Sequence, residues 1–66
     1  MDIGKKLKEL RQLENMTQKE AAVKLNISRS ALTNYEANRR TLSPDMLVRF
    51  SKLYNVTVDY ILDNDL

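Results

Sequence analysis

Apolar residues recur along the chain at the three- and four-residue intervals of amphipathic helices, and short polar clusters interrupt them. The interruptions carry start and stop signals that predict five helices. The first begins after Asp2 as N-cap and runs to about Glu14, with Ile3, Leu7 and Leu10 inward and Asn15 as a left-handed C-cap. Thr17-Gln18-Lys19-Glu20 has the spacing of a capping box and opens a second helix with Ala21, Ala22 and Leu25 inward. Two small residues there let the next helix cross at close range. Asn26 ends this helix, because Asn tolerates the left-handed backbone of a tight interhelical turn. Ile27 plugs the turn, Ser28 caps the third helix, and Asn38 repeats the stop before a connecting loop, Arg39-Arg40-Thr41-Leu42. Ser43-Pro44-Asp45 combines a cap, a proline at the first helical position and an acid against the dipole. The fourth helix is expected to bury Leu47, Val48, Phe50 and Leu53 and to stop at Asn55. Val56 then packs, Thr57 caps a short fifth helix with Ile61 inward, and Asp63-Asn64-Asp65 forms a polar end. The expected architecture is all-α: one five-helix domain over residues 1–66, without repeats or linkers.

The third helix has two distinct faces. At about 100° per residue, Ala31, Leu32 and Tyr35 share one arc, and Arg29, Ser30, Thr33, Asn34 and Ala37 share the other. A merely solvated face favours Lys and Glu, which propagate helices well; Ser, Thr and Asn do not. A short-chained face rich in hydrogen-bonding groups, with one long cation, suits a helix that enters a DNA groove.

Composition narrows the alternatives. The 66 residues contain no Cys and no His, which excludes disulfides, the usual nitrogen and sulfur metal ligands, and nucleophile or base pairs built on them. No metal or cofactor is expected, and carboxylates without a partner arrangement leave an enzyme the least supported reading. A core this small relies on well-packed helices or on oligomerisation. No apolar run spans a bilayer and no signal-peptide pattern opens the chain, so a soluble intracellular protein is expected. Residues 1–40 carry nine Lys/Arg against five Asp/Glu, a balance of +4, and residues 41–66 carry two against four, a balance of −2. A basic portion beside a mildly acidic tail suits a polyanion on one side.

Laid out this way, the chain resembles the helix-turn-helix family that includes the lambdoid phage repressors and Cro, the small xenobiotic-response-element-type regulators of bacteria. The resemblance runs from about Ile3 to Leu62. Its carriers are Leu10-Arg11, Met16-Thr17-Gln18, Ala22, Ile27-Ser28, Tyr35-Glu36, Pro44, Leu47 and Val56-Thr57-Val58-Asp59-Tyr60-Ile61-Leu62. Asn26 and Asn38 stand where the family often has Gly, and both keep the left-handed conformation accessible. Ala21 stands where a larger apolar residue is common, which predicts looser packing of the second helix. The family often has a second domain for oligomerisation or sensing, and none is expected within these 66 residues.

The resemblance implies a lambda-repressor-like domain with its helix-turn-helix at about residues 17–36 and the third helix in the major groove of double-stranded DNA. Arg29, Ser30, Thr33 and Asn34 are then the candidate base contacts: Arg pairs with guanine, Asn with adenine, and Thr offers a methyl to thymine. Gln18, Ser28, Arg39 and Arg40 are candidate phosphate contacts, with capping the main role of Ser28. Lys5, Lys6 and Lys8 read as a solvated face, of which one reaches the duplex at most. Glu36 borders the apolar arc where the first helix passes, so an ion pair with Arg11 is expected, with Arg11 also a candidate phosphate contact. Tyr60, Leu62 and Leu66 are candidate dimer contacts.

The expected function is that of a sequence-specific regulator of transcription, a repressor acting as a homodimer on a pseudo-palindromic operator. It would be cytoplasmic and nucleoid-associated, in a bacterium or encoded by a phage. An antitoxin-type subunit that also covers a protein partner is the first rival. A helical adaptor that binds only protein is the second. A membrane-surface peptide fits poorly, because the capped, broken helices present no continuous amphipathic face.

Overall fold

In the computed structural model, which describes residues 2–63, five helices follow one another: α1 (Ile3–Leu13), α2 (Gln18–Leu25), α3 (Arg29–Glu36), α4 (Pro44–Tyr54) and α5 (Val58–Leu62). Each starts on a side-chain cap. Asp2, Thr17, Ser28, Ser43 and Thr57 accept a hydrogen bond from the backbone N–H of Lys5, Glu20, Ala31, Met46 and Tyr60 in turn, at 2.9–3.2 Å. Thr17 and Glu20 complete a reciprocal capping box, the Glu20 carboxylate accepting from the Thr17 N–H at 2.9 Å. Pro44 takes the first turn of α4 without losing a helical bond.

The first four helices end alike. Asn15, Asn26, Asn38 and Asn55 all adopt the left-handed conformation, with φ between 54° and 60°. In each case the next amide reaches back across the helix end: Met16 to the Arg11 carbonyl, Ile27 to Ala22, Arg39 to Asn34 and Val56 to Ser51, at 2.9–3.1 Å. This closure satisfies carbonyls that a helix end otherwise leaves unpaired.

Every helix contributes to one core. Leu7, Leu32, Phe50 and Ile61 are its fully buried large side chains, joined by Leu10, Ala22, Leu25, Tyr35, Met46 and Tyr54. Phe50 sits between two rings, edge-on to Tyr35 at 5.8 Å between centroids and tilted against Tyr54 at 6.0 Å. Such aromatic pairs add to the area they bury.

Two expectations need correction. α4 turns Met46, Phe50 and Tyr54 inward, while Leu47 and Leu53 flank the core and Val48 is 42% exposed. At about 100° per residue, Val48 lies on the side opposite the Met46–Phe50–Tyr54 line. Ala21 is completely buried, and α2 packs on α3 more extensively than any other helix pair. The small side chain is accommodated by close approach, not by a loose fit.

Candidate nucleic-acid interface

The orientation of α3 follows from the turn before it and from its buried arc. Upstream, Asn26 turns the chain through its left-handed backbone, and Ile27 packs against the core while donating its N–H to Ala22. The exposed Ser28 then caps α3 through Ala31. Leu32 and Tyr35 anchor the inner arc, which leaves the opposite arc facing out. Arg29 and Ser30 are exposed, Thr33 and Asn34 half-buried, and these four line one shallow depression of about 300 Å³. Thr33 also borders a second opening, of about 240 Å³, shared with Lys8, Gln18, Glu36 and Ala37.

A side-chain network braces this face from behind. Arg11 donates from Nε to Glu36 Oε2 at 2.8 Å and from Nη2 to Glu36 Oε1 at 3.2 Å. Its Nη1 donates to the Met16 carbonyl at 2.9 Å, which ties the α1–α2 turn to the same pair. Both residues are buried. The hydrogen bond to Glu36 raises the Arg11 pKa above its ordinary value, against the burial that lowers it. Glu36 Oε1 also accepts from Gln18 Nε2 at 3.2 Å. Gln18 Oε1 in turn lies 3.3 Å from the Thr33 hydroxyl, whose single hydrogen has the Arg29 carbonyl as a second acceptor at 3.0 Å. The first residue of α2 is thereby held against the outer face of α3.

Charge completes the picture. Glu36 is the only acid within α3, and Arg11 neutralises it. Beyond the helix, Arg39 and Arg40 are exposed, with the Arg40 guanidinium 5.3 Å from the Tyr35 ring centre. Lys8 borders the opening beside Gln18. The result is an outward-facing row of hydrogen-bonding groups with cations around it, an arrangement suited to base edges between two phosphate backbones.

Other positions lie apart. Each nitrogen of Arg11 makes one hydrogen bond inside the fold, which uses three of its five N–H donors. Lys6, read as part of a solvated face, instead ties α1 to α5: its Nζ donates to the Tyr60 carbonyl at 3.1 Å, pairs with Asp63 at 3.3 Å and sits 4.6 Å from the centre of the Tyr60 ring. Tyr60 is still 50% exposed and Leu62 is partly so, whereas Leu66 lies outside the described residues. Sequence reasoning missed the Gln18–Thr33 contact and a role for the Asn38 side chain. Neither has a local signature, since each joins residues far apart in the chain.

A helix-turn-helix family model matches residues 7–61. The chain is 52% identical over 65 residues to the HTH-type transcriptional regulator ImmR of Bacillus subtilis, a match covering 98% of this chain and 51% of that protein. It is 39% identical over 57 residues to a second B. subtilis protein, YobD, named as an HTH-type transcriptional regulator, covering 86% of this chain and 51% of the relative. It is 32% identical over 65 residues to the HTH-type transcriptional activator BcrR of Enterococcus faecalis, covering 98% of this chain and 32% of that protein. The chain thus spans about half the length of the first two relatives. These matches, over a chain folded as five helices, identify it as a member of the Cro/C1-type helix-turn-helix family.

Proposed function

We propose that this protein is a cytoplasmic regulator of transcription that reads double-stranded DNA with α3 in the major groove. The observation that carries the reading is the outward row Arg29, Ser30, Thr33 and Asn34, with Thr33 linked through Gln18 to the buried Arg11–Glu36 pair and exposed arginines beyond the helix. Arg29 and Asn34 carry most of the discrimination, because their side chains make two-point contacts with guanine and adenine. Ser28 keeps its capping role and meets phosphate with its exposed edge. Gln18, Arg39 and Arg40 meet phosphates on either side of the groove. Arg11 acts from inside, by holding Glu36 and through it Gln18.

The protein acts as a homodimer through the α5 end, with Tyr60 and Leu62 in the contact. Two copies of α3 then enter successive major grooves about 10–10.5 bp apart on a pseudo-palindromic operator. Repression follows where the operator overlaps the promoter and excludes polymerase. The relatives named above as transcriptional regulators support the regulatory reading.

The test is selection of duplexes from a random pool, followed by titration of the enriched sequence with wild type, R29A and N34A. A two-fold-symmetric site is expected, and each variant should lose about 1–3 kcal/mol of discrimination at one position per half-site. Absence of any enriched sequence, with wild type and variants behaving alike, would point to a protein partner and overturn the reading.

A further inference from the structure

The closures at Asn15, Asn26, Asn38 and Asn55 share one backbone pattern but not one anchor. In this kind of helix end, the residue after the left-handed position normally packs an apolar side chain against the helix it closes. Met16, Ile27 and Val56 do so, all resting on the core. At the end of α3 that residue is Arg39, which is exposed. The recognition helix is therefore the one of the four that lacks an apolar latch.

A polar latch stands in its place. Asn38 Oδ1 accepts the N–H of Gly4 at 2.9 Å, a first-turn donor of α1 that has no partner within its own helix. Asn38 Nδ2 donates to the Asp2 carboxylate, the N-cap of α1, at 2.6 Å. This hydrogen bond is the main cause holding the Asp2 carboxyl below its ordinary pKa. No side-chain hydrogen bond of Asn15, Asn26 or Asn55 occurs among the described residues, so the arrangement is particular to Asn38. It also depends on a glycine. A Cβ on Gly4 would collide with the Glu36 carbonyl and stand 2.8 Å from Asn38 Oδ1.

We infer that Asn38 is a positioning residue for DNA binding: by latching the end of α3 to the start of α1, it sets Arg39 against a phosphate without calling on Arg39 to pack. The inference rests on the DNA-binding reading above. The backbone links the parts directly, because the Arg39 N–H donates at 2.9 Å to the carbonyl of Asn34, a candidate base contact. Movement at the latch therefore reaches both the phosphate-facing cation and the last turn of the reading helix.

The experiment compares wild type, N38G, R39Q and the double variant. N38G keeps the left-handed backbone while removing both latch bonds. Affinity is measured between about 50 and 200 mM salt, on the enriched duplex and on a random duplex of equal length. Amide exchange at Gly4 is followed in the free proteins, below the melting temperature of each.

N38G should exchange Gly4 faster and lower the salt slope by up to about 0.9, the value for one phosphate contact, with affinity down about five- to tenfold at 0.1 M salt. R39Q should lower the slope similarly, and the double variant should lose little beyond either single one. A wild-type slope in N38G despite faster Gly4 exchange would make the latch structural only and overturn the inference. So would unchanged Gly4 exchange, or fully additive losses in the double variant. Failure of the wild type to bind either duplex even at the lowest salt would instead remove the DNA-binding reading, an outcome visible without any variant.

Discussion

Arg11 and Glu36, 25 residues apart, meet through two hydrogen bonds at 2.8 and 3.2 Å, with side-chain exposures of only 10% and 4%. A buried pair in so small a domain is strongly coupled, because each charge has left water and depends on the other. E36A should cost about 3–5 kcal/mol, as it leaves Arg11 buried and uncompensated. E36Q, which keeps an acceptor for the guanidinium, should cost less, and a volume-matched apolar double replacement less than the sum of the single ones. Urea denaturation midpoints supply the comparison; purely additive losses would show that the two charges are not coupled.

The interhelical turn provides a second prediction. Asn26 sits at φ 58° as the left-handed C-cap of α2, with no side-chain hydrogen bond among the described residues. N26A should lose about 1–2 kcal/mol, the cost of a left-handed backbone to an ordinary residue. N26G should stay within about 0.5 kcal/mol of wild type, since relief of backbone strain offsets the extra entropy of the unfolded chain. Thermal melts decide the order, and a large loss in N26G would assign the Asn26 side chain a role of its own.

The helix boundaries are legible in the sequence, and most contacts between helices are not. Helix starts and stops rest on local chemistry: Thr17 meets Glu20 three residues on, and Asn26 or Asn55 closes the helix immediately before it. The inner face of α4 was misassigned because Leu47 and Val48 are more apolar than Met46 and Tyr54, and periodicity alone does not say where the neighbouring helices lie. Contacts such as Gln18–Thr33, Gly4–Asn38 and Lys6–Tyr60 join segments 15, 34 and 54 residues apart, so they emerge only once the helices have packed. The polar row on α3 was visible because a helix face is a local property. Its bracing was not.

Tyr54 yields a third prediction. Its ring packs on Phe50, but its hydroxyl is buried and meets no partner among the described residues. Burial pushes its pKa up from the ordinary value of 10, so the hydroxyl stays protonated. An unsatisfied buried hydroxyl costs about 1–3 kcal/mol, so Y54F, which keeps the ring, should be neutral or stabilising by up to about that amount. Each kcal/mol gained raises the melting temperature of a domain this size by roughly 4–8 °C. Binding to the enriched duplex should not change, and a lower melting temperature would reveal a hydrogen bond made by this hydroxyl.

Acid sensitivity should arise at the helix starts. Asp2 accepts from Asn38 Nδ2 and the Lys5 N–H, and Glu20 accepts from the Thr17 N–H within the capping box. Hydrogen bonds to the charged form, from the Asn38 side chain first at Asp2 and from the Thr17 backbone first at Glu20, lower both carboxyls from ordinary values of 3.8 and 4.5. A lowered folded-state pKa means that the unfolded chain binds protons more readily. The stabilisation is therefore complete above the ordinary carboxylate range and is lost as the pH falls through the folded-state values. Melting temperature should be level between pH 7 and about 5 and decline below about 4. Both carboxylates are exposed, so the decline should be modest and weaker still in high salt. E20Q and D2N keep an acceptor oxygen but cannot titrate, so each should start slightly lower at neutral pH and fall less steeply in acid. Acid limbs of the same steepness in wild type and both variants would place the sensitivity elsewhere in the molecule.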